Sequence, residues 1–511
     1  MMEATKYKIN WKMFNKVLTA VLLSATCSCS DSFLELEPET FLNEQSFFNT
    51  PTQIEQTVNA SYRSLRNLTD LEYWVFLEMR SDNTTFQFFE ADRGEENRGL
   101  VDYFLIDASH DRSMGGLWNK SYDGIARCNT VIENVDNIEG LEDAKRDQFV
   151  GEVKFLRALY YYNLALQFGG VPLELSTTPS PEDASSEGRA SRDAVLQSVL
   201  DDLLEAVDLL PDSYDAFENG RATSGAAKTL LAKVYMVQRN YAEALNVLNT
   251  ITGYSLLTGS PTSYRDVFDP ANKGNSEIIF DVQYLGSEEG LGSNFMYQFA
   301  PNNSGNIVTG DPQLLNLGGG SGWNTPTRDM MRAYEPGDLR MDISMQPGFT
   351  DNEGGVVDQP YVSKYNFGFE LSGSTNVNFP VFRYADVLLM RAECLNEQGY
   401  VAGGEAFDLV NQIRNRAGLA GLTPAEAPNQ QDFRDAIFQE RRVELAFENH
   451  RWYDLLRSGE AVSIMNAHGQ EEIRLRANII PAGAFQVTEN KLLLPIPQRE
   501  VTIDNLEQNP Q

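Results

Sequence analysis

The sequence is poor in cysteine, histidine and long apolar runs. Only four cysteines and three histidines occur among its 511 residues. So few cysteines exclude a disulfide framework, and the scattered histidines have no metal-binding spacing such as HExxH. The apolar run at residues 17–25 is nine residues long, whereas a spanning helix needs about 20. These shortages exclude a small disulfide-bonded domain, a His-rich metal centre and a transmembrane helix, and we predict neither a metal nor a cofactor.

Basic residues are also scarce. Lysine and arginine together number 41 against 73 aspartates and glutamates, and the formal net charge is −32. A surface this acidic repels nucleic acid and anionic lipid head groups. We therefore expect no nucleic-acid partner, and the composition suits a protein that works in an extracellular or periplasmic setting.

The N-terminal segment has the order of a secretory signal. Four lysines precede the apolar run at 17–25 and small residues follow it. Bacterial lipoproteins are acylated on a cysteine directly after such a run, and Cys29 is the predicted anchor, with Cys27 as the alternative. A plain cleaved signal with an incidental cysteine is the other interpretation. We predict a lipoprotein signal peptide at residues 1–28 and an acidic tether between membrane and fold at 29–48.

Helical periodicity dominates two blocks, residues 49–251 and 380–459, in which apolar residues recur at three- and four-residue steps. Cys128 and Cys394 lie inside these patterns, so we expect two buried thiols. Three helix pairs have the spacing of tetratricopeptide repeats. The positions that carry this spacing are Leu231, Ala232, Tyr235, Tyr241, Ala244 and Leu248 in one pair, Ala158, Tyr161, Ala206 and Pro211 in a looser pair, and Ala392, Leu395, Gly399 and Ala406 in the third. Such pairs cannot bury their apolar faces alone, and we expect them to stack.

The amino-acid composition changes between the two helical blocks. From 252 to 379 glycine, asparagine, serine and proline become frequent, and 276–284 is the lone convincing strand. The segment 460–511 reads as irregular, with short strands such as 491–497, and would complete the second lobe. The predicted fold is therefore mostly α: a tetratricopeptide-like helix-pair scaffold with an inserted loop-rich lobe that contains short strands and binds the ligand.

Seven segments, in order, resemble the SusD/RagB family. They read CSDSFLELEPE, WNKSYDGIARCNTVIE, GEVKFLRALYYYNLALQFGGVPL, GWNTPTRDMMRAYEPGDLRM, PVFRYADVLLMRAECLNEQG, ERRVELAFENHRWYDLLR and LLLPIPQREVTIDNLEQNPQ. The resemblance implies a lipoprotein of the Bacteroidetes outer membrane that faces the cell exterior. It also implies a partner, a SusC-like TonB-dependent transporter, to which the lipoprotein delivers captured nutrients, usually glycans, for import.

Two motifs within this resemblance have a structural interpretation. In residues 380–399, Asp386, Arg391 and Glu393 could form a charge network where two helices meet. In residues 440–457, charges of alternating sign lie on one helix. We interpret both motifs as scaffold rather than as catalytic residues.

The candidate ligand-binding residues are aromatic and polar side chains in loops. A sugar offers an apolar face and a fringe of hydroxyls, which a flat ring with amides, carboxylates or arginine at its rim can bind. The candidates are Asp82, Asn83, Phe88, Phe89 and Arg93 in an early loop, Tyr297 and Asn302 in the middle lobe, and Trp323 with Asn324 in a glycine-flanked loop. Trp323 is either a ligand platform or a loop anchor, and the other aromatics are alternatively core residues.

Three alternative functions remain open. A glycoside hydrolase would need two carboxylates about 5 to 10 Å apart, and 73 acidic residues leave that requirement untestable from sequence. No GxSxG, HExxH or Cys–His signature occurs, so we predict no catalytic residues and no enzyme activity. The same fold could capture peptides, or the helix pairs could serve a purely structural surface protein.

Overall fold

The computed structural model describes residues 50–87, 96–177, 188–215, 218–288, 290–314 and 320–511. The predicted signal peptide, tether and acylated cysteine lie outside these residues, as do Phe88, Phe89 and Arg93. Among the residues that the structure describes, no helix is both long enough and apolar enough to cross a membrane.

The N-terminal part is helical. Its helices are α1 (Pro51–Thr69), α2 (Glu96–Asp102), α3 (Asp111–Asn134), α4 (Asp143–Phe168), α5 (Arg192–Leu209), α6 (Ser224–Val237) and α7 (Tyr241–Leu248). A π-helical turn at Trp74–Glu78 and the two-residue strand β1 (Thr84–Thr85) lie between α1 and α2, and a 3-10 turn at Val135–Asn137 follows α3.

The middle part consists of short elements. They are α8 (Ser263–Asp266), β2 (Ile278–Val282), α9 (Phe295–Phe299), β3 (Thr325–Pro326), α10 (Arg328–Arg332), α11 (Met341–Ser344), β4 (Met345–Gln346), β5 (Phe349–Thr350), β6 (Val356–Val357) and β7 (Tyr361–Val362), with 3-10 turns at Pro270–Asn272 and Pro312–Leu314. The strand predicted within 276–284 is confirmed as β2.

The C-terminal part returns to helix. Its elements are β8 (Phe379–Arg383), α12 (Tyr384–Gln398), α13 (Glu405–Arg416), α14 (Gln430–Glu444), α15 (Arg451–Ser458), α16 (Ala461–Leu475), a 3-10 turn at Glu489–Leu492 and α17 (Gln498–Ile503). Two expectations are wrong here. The segment after 460 begins with a four-turn helix, α16, and residues 491–497 form no strand. The helical pattern from 380 also begins with strand residues, because β8 pairs with β2.

The described chain has four two-stranded antiparallel sheets: β1 with β3, β2 with β8, β4 with β7, and β5 with β6. The first two join parts of the chain that are distant in sequence. The first pair aligns Thr84 with Pro326 and Thr85 with Thr325. It therefore ties the early segment before α2 to the loop that carries Trp323.

Local side-chain caps explain where several scaffold helices begin. The side chains of Thr50, Ser191, Thr223 and Asn429 each accept a hydrogen bond from a backbone N–H in the first turn of the following helix. These residues satisfy donors that a helix start leaves without an intrahelical partner. At the other end of α15, Gly459 adopts φ +79°, a left-handed conformation that glycine adopts without steric cost.

The helix pairs stack as predicted, which confirms the tetratricopeptide-like scaffold. Each of α3 to α7 packs on the helix before it, and α12 then packs on α7 across the inserted middle part. The alanines that carry the repeat spacing are buried at these interfaces. They are Ala158, Ala206, Ala232, Ala244, Ala392 and Ala406. The predicted buried thiols are confirmed, since Cys128 and Cys394 are both free and buried.

A buried ion network joins the middle part to the scaffold. Arg383, at the end of β8, is fully buried and uses all five of its N–H donors. They bind the carboxylates of Glu277, Glu444 and Glu448 and the carbonyl of Glu444, at 2.5 to 3.0 Å. Lys364 binds Glu448 at 2.8 Å from the middle part. The side chains therefore link β2, β8 and the end of α14.

The predicted network around α12 is confirmed for two of its three members. Asp386 accepts a hydrogen bond from Arg441 at 2.8 Å, and Arg441 also binds Asp454 at 3.0 Å. Asp454 in turn binds Arg457, which pairs with Glu393. Arg391 lies outside this chain of ion pairs because it binds Glu405 on α13.

Candidate ligand-binding surface

Backbone hydrogen bonds hold the Trp323 loop against α9. The amides of Ser321 and Trp323 donate to the carbonyls of Tyr297 and Gln298, both at 2.9 Å, and the amide of Gly322 donates to Ala300 at 2.8 Å. The glycine at 322 has φ +69°, which only residues without a Cβ adopt freely. The loop is therefore fixed as an extra strand-like segment beside the helix that carries Tyr297.

The Trp323 side chain is half-buried and lies in an aromatic–cation stack. Its ring stacks on Trp74 with centroids 6.2 Å apart and planes 26° apart, and the Arg98 guanidinium lies 3.7 Å from its centroid. Trp74 is anchored in turn, because its indole N–H donates to Gln298 at 2.9 Å. Trp323 is thus anchored by its neighbours and still retains exposed surface.

Helix α2 holds this surface from the side of the early segment. It carries Arg98 and, one turn later, Asp102, which accepts hydrogen bonds from the Thr85 hydroxyl at 2.7 Å and the Phe86 amide at 2.9 Å. Burial raises the pKa of Asp102 to about 7, although Arg476 acts in the opposite direction. These hydrogen bonds fix the backbone immediately before Gln87. Gln87 is half-buried, and its side-chain oxygen accepts a hydrogen bond from the side chain of Gln359 at 3.3 Å.

Tyr297 and Asn302 are both half-buried in the segment beside the Trp323 loop. The Tyr297 hydroxyl donates to the buried Asp311 at 3.0 Å, and the Ser372 hydroxyl donates to the same carboxylate oxygen at 2.7 Å. The side chain of Asn302 makes no hydrogen bond with any residue that the structure describes. Asn302 therefore offers a side-chain amide in the segment that follows α9.

The predicted ligand contact is wrong for Asp82, because its side chain is buried in an ion cluster. Arg451 binds its two carboxylate oxygens at 2.7 and 2.8 Å, and Arg442 approaches to 3.1 Å. Burial alone would raise the pKa of Asp82, but Arg451 and Arg442 together hold it well below its usual range. Asp82 is a permanently ionised support beneath β1.

The prediction is also wrong for Asn83 and Asn324, which are each 1% exposed. Asn83 donates to Glu78 and accepts from Arg442, both at 2.9 Å. Asn324 accepts from the Thr84 hydroxyl at 2.6 Å and has φ +54°, a left-handed conformation for which asparagine is among the better-suited residues. Both asparagines fix the β1–β3 junction instead of meeting solvent.

The structure thus places the Trp323 loop beside the helix that carries Tyr297, and it adds residues that the sequence analysis missed. Arg98 and Gln87 flank the early loop, and Trp74, a core residue that is 1% exposed, is the stacking partner of Trp323. Neither Arg98 nor Gln87 carries a periodic or motif signal, and only their nearness in sequence to the predicted loop could have suggested them. No cluster of histidine, cysteine, aspartate or glutamate that could hold a metal ion occurs among the described residues.

The fold is thus a stacked helix-pair scaffold with a loop-rich insertion that carries a half-buried tryptophan. Two family models match this chain, one described as "SusD family" over residues 339–511 and one as "Starch-binding associating with outer membrane" over residues 32–236. Together they match more than half of the chain. The protein belongs to the SusD/RagB family.

Curated relatives match nearly the whole chain. It is 29% identical to SusD-like protein P25 of Formosa agariphila, with 96% of each chain covered. It is 26% identical to a SusD-like protein of Bacteroides ovatus, over 86% of this chain and 80% of the relative.

Solved structures share the fold. A laminarin-binding SusD-like protein superposes with a TM-score of 0.74 and 26% identity, over 90% of this chain and 99% of the other. Surface glycan-binding protein A from Bacteroides fluxus has a TM-score of 0.75 and 26% identity over the same shares. The same protein from Bacteroides thetaiotaomicron, solved with laminarihexaose, shares the fold at 22% identity and a TM-score of 0.73, over 90% of this chain and 100% of that one.

Proposed function

We propose that this protein captures oligosaccharide or polysaccharide nutrients and delivers them to a SusC-like TonB-dependent transporter. The carrying observation is the half-buried Trp323, which Trp74, Arg98 and the backbone of α9 hold in place with part of the ring exposed. A side chain that is fixed before binding loses little conformational entropy when a sugar packs against its exposed part. The named ligands of the laminarin-binding and laminarihexaose-bound relatives support a glycan as the cargo.

The site offers the two kinds of contact that a sugar needs. Trp323 and Tyr297 supply aromatic surface, and the amides of Asn302 and Gln87 supply polar groups at the rim. The predicted contacts Phe88, Phe89 and Arg93 belong to the same proposal, since all three lie within six residues after Gln87 in the sequence. The protein would act as a cell-surface lipoprotein, anchored in the outer membrane through Cys29, or alternatively Cys27, and facing outward.

The test is affinity electrophoresis followed by calorimetry of the mature chain without its acylated N-terminus, from Asp31 onward, against plant, host and microbial polysaccharides that include laminarin. We expect Trp323→Ala to weaken binding at least tenfold, which corresponds to about 1.4 kcal/mol. Trp323→Phe should retain part of the affinity, because it keeps a ring. The matched control is Tyr235→Ala, which removes a half-buried ring from scaffold helix α6.

The outcomes separate the alternatives. Binding that Trp323→Ala leaves unchanged would place the site elsewhere. Binding to peptides but to none of the glycans would support peptide capture instead. Delivery is tested separately: we expect a SusC-like barrel to co-purify with the full chain from outer membranes, and Cys29→Ala to release the protein from them if Cys29 is the anchor.

A further inference from the structure

The scaffold carries a large open groove away from the Trp323 loop. Its volume is about 770 Å³, within the 300–1,000 Å³ typical of small-ligand sites. It lies between the loop at 254–261, the start of α12, the C-terminal end of α13 and Leu339. We call this cavity the scaffold groove; none of the Trp323-site residues lines it.

The scaffold groove combines rings with neutral polar groups. Tyr254 and Tyr384 line it and are both half-buried. The Tyr254 hydroxyl lies 3.0 Å from that of Thr223, and the backbone amide of Tyr384 donates to Glu277 at 2.8 Å. Both residues are thus held in place without a ligand.

The opposite wall is polar and exposed. Gln412 and Asn415 lie one turn apart on α13, and both line the groove with exposed side chains. The side-chain amide of Asn415 makes no hydrogen bond with any described residue. The side-chain amide of Gln412 makes a single long one, in which its Nε2 donates to the carbonyl of Asp408 at 3.4 Å. These two amides can donate to and accept from hydroxyl groups of a ligand. Ser255, Thr258 and Ser260 contribute to the lining from the loop.

The lining of the groove is electrically neutral. Its charged member is Arg416, which binds Glu277 at 3.0 Å and also binds Glu444. Both carboxylates are fully buried, so the guanidinium is compensated inside the protein. A second cavity, of about 410 Å³, is different: Arg63, Arg66 and Asp281 contribute to its lining. An uncharged ligand with an apolar face and many hydroxyls fits the scaffold groove better than an ion or an acidic peptide does.

We propose that the scaffold groove is a second carbohydrate-binding site, which takes a short neutral segment of a glycan. The inference rests on the proposed capture of glycans at the Trp323 site and adds a second contact for the same polymer. Two linked sites raise the affinity for a long chain without any change at the first site, because the second binding event becomes intramolecular. A long polysaccharide should therefore bind more tightly than a short oligosaccharide of the same linkage.

The experiment measures binding of the mature chain to a polysaccharide that it retains in gels, and to the hexasaccharide of the same linkage, by calorimetry. The groove variants are Gln412→Ala with Asn415→Ala, and Leu339→Arg, which places a charged side chain at a position that is 42% exposed. The matched control, Gln197→Ala with Asn246→Ala, removes an exposed glutamine and asparagine from scaffold helices α5 and α7.

We expect both groove variants to weaken polysaccharide binding at least threefold and the control to leave it unchanged. In the Trp323→Ala background, the groove variants should remove the residual binding. Groove variants that bind like the control would overturn the second site and leave the proposed function intact. Loss of transporter co-purification with unchanged glycan binding would show a protein contact in the groove and also overturn it. Absence of any glycan binding by the unaltered chain would overturn the proposed function, and this inference with it.

Discussion

Replacement of Arg383 by methionine tests whether the buried ion network holds the fold together. Methionine has a similar length and no charge, so the change removes five hydrogen bonds and leaves the space largely filled. The carboxylates of Glu277, Glu444 and Glu448, all fully buried, lose one cation each. Burial alone would raise the pKa of Glu444, but Arg416, Arg383 and Arg340 hold it well below its usual range.

The expected loss of stability follows from what remains around these carboxylates. Hydrogen bonds to charged groups contribute about 1.5–3 kcal/mol each, and five of them would sum to as much as the whole stability of a typical domain. Glu277 and Glu444 keep Arg416, however, and Glu448 keeps Lys364. The change therefore resembles the breakage of one buried pair, and we expect the free energy of unfolding to fall by about 3–5 kcal/mol.

The assay is urea unfolding of the mature chain at pH 7, followed by circular dichroism and tryptophan fluorescence. The matched control is Arg391→Met on α12, where the partner Glu405 is 59% exposed at its side chain. Exposed pairs contribute about 0–1 kcal/mol, so the control should barely move the midpoint. A free energy of unfolding for Arg383→Met within about 1 kcal/mol of that control would refute the reasoning, because the network would then be replaceable by apolar packing.

Two further predictions concern stability. Burial raises the pKa of Glu78 from its ordinary 4.5 to about 7. The contribution of the Glu78 carboxyl to the free energy of unfolding is therefore fully present below pH 4.5. It is lost as pH rises through 7, and the loss amounts to about 3 kcal/mol. Urea midpoints between pH 5 and 8 should fall more steeply for the unaltered chain than for Glu78→Gln, and equal slopes would contradict this assignment. Phe433 stacks on Phe407 with centroids 4.0 Å apart, so Phe433→Ala should cost about 3–5 kcal/mol. Phe433→Leu should lose clearly less, because leucine refills much of the space. Equal losses for the two would contradict this and would show that the ring stack itself, rather than the filled volume, carries the stability.

The scaffold could be predicted from sequence because its signal is local and repeated. Alanine at fixed spacing predicts close helix contacts, and Ala232 and Ala244 are indeed buried on the paired helices α6 and α7. The start of α12 could not be placed, because residues 379–383 have an apolar pattern that suits strand and helix equally. Only pairing with β2, about a hundred residues away in sequence, makes them a strand.

The candidate site was predicted less well, for a different physical reason. Polar residues in a glycine-rich or acidic stretch look alike whether they contact a ligand or support a loop. The role of Asp82 depends on its ion pairs with Arg442 and Arg451. Both arginines lie some 360 residues further along the chain, so no local pattern reveals these pairs. Trp323 anchors its loop through Trp74 and also keeps exposed surface, so a contact with a ligand stays a prediction.

The residues wrongly predicted as ligand contacts explain why the site can be rigid. Asp82 fixes the backbone before β1 to α14 and α15 through Arg442 and Arg451. Asn324 ties β1 to the Trp323 loop through Thr84. The loop is thus connected to the helical scaffold by ion pairs and hydrogen bonds in the protein interior, where solvent does not weaken them. A short glycan that packs against the exposed part of Trp323 would meet a surface that was already ordered during folding. Its affinity should therefore depend on the exposed part of that side chain and on the amides rather than on loop closure.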